Sequence, residues 1–311
     1  MAAPTIIAEI GGNHRGEMDT ARRMVEIVGR WSTEHFGLGQ SIPEVRDGFA
    51  PIKAYVKFQK RTCDLVHYPS WTKPHPNPAF AYGPTYLDHR RALEFDMNQH
   101  RILKEWAQRC GTGYSCSVWD LSAAREIASL DPDWIKVPSA ANLDLDLLSV
   151  LVDEYGGGIH ISLGMTRRSE VYKIVDFMRG AGGLGRTVLY ACTSDYPANA
   201  HDTRGGELEW LQSAFGSEVA GIGFSGHHAG IAIDMAATAL GAQFIERHFT
   251  LDRSWKGTDH AASLEPAGLR KLMRDVQVVS AALGKKPDTG LLDCEMGQRE
   301  KLKSELGAAS P

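Results

Sequence analysis

His227 and His248 close two short apolar runs, and Asp259 follows in the next loop. The stretch from Gly221 to Leu264 reads as strand, helix, strand: Ile222–Phe224, then the Ala-rich Ile231–Leu240, then Phe244–Ile245 with Glu246, Arg247 and His248 at its end. That order brings both imidazoles to one rim. A lone histidine is usually a packing or surface residue. Two at successive strand ends, with Asp259 close behind, are better explained by a divalent metal. Other polar residues fall at the ends of apolar runs. They are Glu9, Lys57 with Gln59 and Lys60, Ser115 and Ser117, Lys136 with Ser139, Ser162, Thr193 to Tyr196, Ser225 and Glu246. Two lysines and several hydroxyls at one mouth make an anion site, most simply for phosphate or a phosphorylated carboxylate. Each serine taken singly is a strand-end cap. A lysine flanked by Tyr55, Val56 and Phe58 must instead point into a polar mouth or pair internally.

Positioning these residues takes alternating strands and helices. Strands are expected at Thr5–Ile10, Ala54–Phe58, Gly113–Ser117, Trp134–Val137, Gly158–Ser162, Thr187–Cys192, Gly221–Phe224 and Gln243–Glu246. Helices are expected near Asp19–Trp31, Asn98–Arg109, Leu121–Ser129, Leu145–Glu154, Arg168–Arg179, Gly206–Phe215, Ile231–Leu240 and Pro266–Leu283. Such alternation without a Rossmann glycine fingerprint points to an α/β fold of the closed (β/α)₈ TIM-barrel kind, spanning residues 1–284, with 285–311 as a C-terminal tail. Two connections are long. Ser32–Lys53 reads as an insertion before strand two. Lys60–Met97, with Tyr68, Trp71, Phe80, Tyr82 and Tyr86 among prolines, is either a lid or a packed loop.

Composition narrows the class. The 311 residues are 43% hydrophobic and 23% charged, as in an ordinary globular enzyme. A net charge of −4 gives no reason to expect nucleic acid or an anionic membrane. The five cysteines form no CxxC or secreted-type framework, so reduced thiols and a cytoplasmic location are expected. No apolar run is long enough to span a bilayer.

Taken in order, IIAEIGGNHRG, YVKFQK, YSCSVWD, IKVPSAANLD, ISLGMT, YACTSDYP, GFSGHHAGIA and IERHFTLDRSWKGTDHAASLEP resemble the sialic acid synthase family. These motifs cover Thr5 to about Leu283. The resemblance implies a phosphoenolpyruvate-binding barrel that condenses this substrate with a sugar aldehyde. Matched position by position, it implies a metal, usually manganese with magnesium or cobalt as alternatives, on His227 and His248. It implies phosphoenolpyruvate held by Lys57, Lys136, Ser117, Ser139, Ser162 and Ser225, and acceptor contacts from Gln59, Tyr196 and Asp259. Glu9 would sit near the metal and the reacting carbons, moving protons or holding a metal-bound water. His228 and His260 lie nearby but outside the matched positions. A homo-oligomer, most simply a dimer, is implied.

The chain also departs from the family pattern. Ala141 stands where an acidic residue usually faces the acceptor, Gly226 replaces an Asp, and Ser194 stands where Asn is common. No antifreeze-like domain follows the barrel, so its acceptor-holding arginine is missing from this sequence. Two other readings compete: a Schiff-base aldolase using Lys57 or Lys136, and an inactive sugar-acid-binding homologue. The identity of the acceptor sugar is left open by the sequence.

Overall fold

The computed structural model describes residues 2–33 and 51–307. Eight parallel strands close into one barrel in sequence order: β1 Thr5–Glu9, β2 Ala54–Lys60, β3 Gly113–Val118, β4 Trp134–Val137, β5 Gly158–Ser162, β6 Thr187–Cys192, β7 Gly221–Gly226 and β8 Phe244–His248. β1 pairs with both β2 and β8, which completes the ring. Helices cover the outside: α1 Met18–Ser32, α2 Tyr86–Leu93, α3 Met97–Arg109, α4 Leu121–Ala128, α5 Leu145–Glu154, α6 Arg168–Gly180, α7 Glu207–Phe215, α8 Ala232–Ala239, α9 Pro266–Ala282 and α10 Met296–Gly307. The expected barrel is therefore observed. The insertion expected at Ser32–Lys53 lies mostly outside the described residues.

Side chains alternate across each strand, and this sorts the chain into two cores. Ile6 and Ala8 of β1, Val56 and Phe58 of β2, Cys116 of β3 and Ile135 and Val137 of β4 face outward into the helices. Ile7, Tyr55, Trp134, Val188 and Tyr190, with Phe244 against them, form a separate cluster inside the barrel. The His160 ring stacks on Trp134 with centroids 4.1 Å apart and gives the cluster a flat aromatic layer. Polar residues are left to the inward positions nearer the strands' C-terminal ends. Capping sets where several helices begin. The side chains of Asp120 and Asp144 accept the backbone N–H groups of Ala123 and Leu147, starting α4 and α5. Reciprocal capping pairs, Thr85 with Asp88 and Asp96 with Gln99, start α2 and α3.

One element was not foreseen: α2 lies inside the long Lys60–Met97 connection, where prolines mask an eight-residue helix. α10 gives the polar tail a helix whose described side chains are mostly exposed. The aromatics of the long connection pack against one another: Tyr68 stacks on Trp71 at 3.9 Å, and Trp71 meets Tyr86 edge-on at 5.3 Å. The Tyr82 hydroxyl donates to the Lys256 carbonyl. Of the two readings open for this connection, these contacts fit the packed loop.

The inner aromatics fit because glycines face them. A Cβ on Gly223 would lie 2.5 Å from Tyr190 Cε1, and one on Gly113 would lie 2.2 Å from the Tyr55 ring. Gly223→Ala is expected to cost about 1–3 kcal/mol through overpacking, read by denaturant unfolding, with the far-UV circular dichroism retained. An unchanged unfolding midpoint would show that Tyr190 moves freely and that the inner packing is loose.

Candidate active site

Strand register places the functional residues next to one another. Glu9 stands opposite Lys57 on one side and His248 on the other. Ser117 stands opposite Lys136, and Ser225 opposite Glu246. Neighbouring strands run about 5 Å apart, so side chains at matched positions on the inner face touch. A cavity of about 220 Å³ opens at the C-terminal ends of the strands. Glu9, Lys57, Gln59, Ser117, Lys136, Ser139, Ser162, Tyr196, Ser225, His227 and His248 all line it. Asp259 does not line it, but its charge acts on His248.

Four buried charges form the floor. Lys57 Nζ sits 2.5 Å from Glu9 Oε2 and 3.8 Å from Glu246 Oε1. Lys136 Nζ sits 3.1 Å from Glu246 Oε2. Lys57 donates to Ser117 Oγ at 2.5 Å, and Ser225 donates to Glu246 Oε1 at 3.1 Å. Gln59 Nε2 donates to Glu9 Oε1 at 2.7 Å. The Lys136 ammonium also lies 3.3 Å from the Tyr190 ring centroid, on the aromatic layer. Glu246 was visible in the sequence as a strand-end residue but was given no role. Its position two residues before His248 puts it on the same inner face, and that alternation was the available signal.

The two carboxylates are driven apart. Burial raises the proton affinity of Glu9, Lys57 offsets part of this, and Glu246 adds to it, so Glu9 stands above the ordinary carboxylate value. Burial acts on Glu246 too, but Lys136 and Lys57 outweigh it and hold this group at about 2. Glu246 is thus a fixed anion and Glu9 a group able to take up a proton. The lysines also differ. Burial and the charge of Lys57 bring Lys136 down to about 8 despite Glu246. Lys57 is also buried, but Glu246 and Glu9 keep it above its ordinary value.

The imidazoles of His227 and His248 lie 5.4 Å apart, centroid to centroid, with the Tyr196 ring 4.2 Å from the first and 5.8 Å from the second. His227 Nδ1 is 2.7 Å from the Thr193 carbonyl, which fixes that nitrogen as the donor, and despite burial the Cys192 sulfur and the Thr193 carbonyl hold the ring's pKa above its ordinary value, so a metal at Nε2 would have to displace a proton. Burial, and more weakly the charge of His227, holds His248 neutral with its pKa near 4, and its Nδ1 is buried without a partner. Among the described residues no group of three or more His, Cys, Asp or Glu side chains gathers as a metal cage. The donor set therefore fits a divalent ion as an open two-imidazole site, with other positions left to water and substrate, and not as a closed structural site.

Several expectations need correction. Ala141 packs into the outer core, and Ala140 lines the cavity in its place. Ser115 donates to the Trp134 carbonyl and Lys60 pairs with Glu94, so both serve the frame. His228 is not a spare histidine. Its Nε2 is 3.0 Å from Arg247 Nη1, and Arg247 pairs in turn with buried Asp234. His260 Nδ1 bonds Thr250 Oγ1 at 2.7 Å. His228→Ala is therefore expected to loosen the Arg247–Asp234 pairing beside the loop that carries His227. Met165 also lines the cavity. It holds φ at 56°, a strained value for a side-chain-bearing residue, beside Gly164, whose N–H donates to Ser139 Oγ at 3.1 Å.

With the geometry in place, comparison with known proteins gives a consistent result. The model of the NeuB family matches residues 52–288. The chain is 35% identical over 300 residues to N-acetylneuraminate-9-phosphate synthase of Homo sapiens, covering 96% of this chain and 76% of that protein. It is 29% identical over 286 residues to N,N'-diacetyllegionaminic acid synthase of Campylobacter jejuni, covering 91% and 78%. Among solved structures, the N-acetylneuraminic acid (sialic acid) synthetase of Leptospira borgpetersenii, in complex with citrate, superposes with a TM-score of 0.76 at 24% identity, covering 98% of this chain and 93% of that one. That last likeness supports the barrel fold.

The position of Lys136 near 8 has a direct consequence. Its ammonium is present below that pH and lost above it. Sulfate, whose charge is constant over the range, is expected to bind more weakly as pH rises through about 8. Lys136→Arg should retain affinity to higher pH, because guanidinium stays charged. Calorimetric affinities that stay flat to pH 9.5 would contradict this.

Proposed function

The chain belongs to the NeuB family, and on that footing we propose that it joins phosphoenolpyruvate to the aldehyde carbon of an aldose. The products are a 3-deoxy-2-keto sugar acid of the nonulosonic type and inorganic phosphate. One observation carries the reading: two lysines, five serines and two imidazoles line a single cavity. A compact anion and an aldehyde fit there side by side. The human and Campylobacter relatives are by name synthases of such acids.

In this reading Lys57 and Lys136 balance the phosphate and carboxylate of phosphoenolpyruvate, and Ser117, Ser139, Ser162 and Ser225 give directed hydrogen bonds. The third carbon of the enol attacks the aldehyde, forming the new carbon–carbon bond and leaving positive charge at the second carbon and an alkoxide at the former aldehyde oxygen, which takes up the proton that the attacking water later loses. Water adds at that carbon, and Glu9, with its raised proton affinity, takes a proton from it. The resulting hemiketal phosphate breaks its carbon–oxygen bond, so phosphate leaves with the bridging oxygen. Holding both reactants in register is worth up to roughly 7–11 kcal/mol. A divalent ion on His227 and His248, manganese in preference to magnesium or cobalt, supplies Lewis-acid polarisation of the aldehyde oxygen when bound. Gln59 and Tyr196 contact the acceptor, and Asp259 acts through its charge on His248.

The finer expectations belong to the same reading. A homodimer is supported by the open acceptor side, where Met165 is 68% and Tyr196 is 45% exposed. A cytoplasmic location is supported by five unpaired cysteines. One observation favours the Schiff-base aldolase: the lowered pKa of Lys136, near 8. Against it, that amine is paired with Glu246 and covered by the Tyr190 ring.

The test uses enzyme, manganese, phosphoenolpyruvate and a panel of aldoses, read by phosphate release and by mass spectrometry of the keto acid. Release should depend on both the metal and an aldose. His248→Ala or His227→Ala should cut turnover by more than about 100-fold, beyond the usual loss for an outer-shell partner of a metal ligand. Full activity after exhaustive chelation would rule out the metal-assisted condensation. Borohydride trapping of a keto acid on Lys136 would favour the aldolase instead.

A further inference from the structure

The two imidazoles at the mouth are not held alike. His248 stands opposite Glu9 in the β1–β8 ladder, so strand register fixes it. The β7–β8 ladder ends with Gly226 opposite Arg247, and His227 stands one residue past that pair. Beyond the ladder, the side chain of Arg247 joins the His227 segment to β8. Alternation turns Arg247 away from the cavity that Glu246 and His248 line, toward the helices. Its Nη2 donates to the His228 carbonyl at 2.5 Å, and its Nη1 donates to the Gly230 carbonyl at 2.8 Å. His228 Nε2 lies 3.0 Å from the same Nη1.

Asp234, in the first turn of α8, anchors the guanidinium by accepting from Nη1. Asp234 Oδ2 also lies 3.3 Å from His228 Nε2, and all three residues are buried. The His228 ring has a seat cut for it: a Cβ on Gly226 would lie 2.9 Å from His228 Cε1. The His227 carbonyl accepts the Ala198 N–H at 3.1 Å, which ties the Tyr196 loop to the same segment. The cluster is a poor source of stability. His228 Nδ1, Asp234 Oδ1 and Arg247 Nε are buried without a hydrogen-bond partner among the described residues. Well-packed apolar side chains often stabilise such a place as much as an ion pair does, or more. What the cluster supplies is orientation, because one rigid planar fork grips a loop, a strand and a helix together.

We infer that Arg247, anchored by Asp234 and His228, is the positioning residue of the imidazole pair: it holds the backbone after His227 against β8, so that both rings turn to one point on the rim. The inference rests on the reading of His227 and His248 as the seat of a divalent ion. In it Arg247 touches neither the ion nor a substrate and acts only through the segment that carries His227. The lysines and serines of the small-anion site lie on the other face of the strands. The two halves should therefore respond separately when the guanidinium is changed. Lysine at this position keeps the charge but presents a single nitrogen, which cannot grip both carbonyls and Asp234 as a fork does.

The experiment titrates the full chain with manganese chloride, without substrates and at one fixed pH, and reads free Mn²⁺ by electron paramagnetic resonance. Sulfate affinity is measured on the same proteins by calorimetry, and folding by far-UV circular dichroism. Arg247→Lys should weaken Mn²⁺ binding by roughly 10–100-fold, the usual loss for an outer-shell partner, while sulfate affinity stays within about twofold. His228→Gln should weaken Mn²⁺ in the same direction by less, because the guanidinium keeps Asp234 and both carbonyls. Should Arg247→Lys fail to fold, His228→Gln decides. In folded variants, Mn²⁺ affinity equal to that of the wild type overturns the inference. So does a parallel loss of Mn²⁺ and sulfate, which would mean general loosening, and so does loss of the fold in both variants. A wild-type chain that binds no Mn²⁺, or binds it equally well as His248→Ala, overturns the metal reading and this inference with it.

Discussion

The carboxylate of Glu246, buried between Lys57 and Lys136, is the interaction on which the site depends. Charges this deep survive only when paired and hydrogen-bonded. Glu246 meets that condition through both lysines and Ser225, and Lys57 meets it through Glu9 and Ser117. The ring of strands makes the network possible, because register sets Glu9 between Lys57 and His248 and sets Ser225 opposite Glu246. The aromatic layer below closes the barrel. With Trp134, His160 and Tyr190 packed there, charge at the floor acts through protein and not through bulk water.

The site divides into a rigid half and an adaptable half. Residues for the small anion sit on strand ends whose neighbours fix them on both sides. In the proposed reading, the acceptor side is set by residues at the rim, Gln59 near the end of β2 and Tyr196 after β6. The helix α2 and the stacked aromatics of the long connection brace that rim. Rim residues can change without disturbing the network below. A family with one chemistry and several acceptors would use such a division.

Much of this was legible in the sequence because the signals are periodic. Strand starts fell where apolar runs begin, and the barrel followed from strands alternating with helices. Most residues read at strand ends line one cavity, while Ser115 and Lys60 serve the frame. What was missed had a physical reason. Helix α2 was hidden by prolines and by its shortness. Glu246 carried no motif of its own, and its partners come from strands distant in the chain. His228 resembled a spare histidine because its partners, Arg247 and Asp234, become neighbours only when β8 and α8 pack together. Ala141 was read as the departure from an acidic residue that faces the acceptor; here it packs into the core, and Ala140 lines the cavity. Asp259 was placed in the site by its spacing after His248 and by the family resemblance; it does not line the cavity and acts on His248 through its charge.

The central claim is that the buried network holds phosphoenolpyruvate while carbon attacks the aldehyde and water attacks the second carbon. Phosphoenolpyruvate labelled with oxygen-18 in the bridge between carbon and phosphorus tests it most directly. With the accepted aldose and manganese present, the account predicts that the label leaves entirely in inorganic phosphate, because the carbon–oxygen bond breaks. Label retained in the keto-acid product would mean cleavage at phosphorus and would contradict the account.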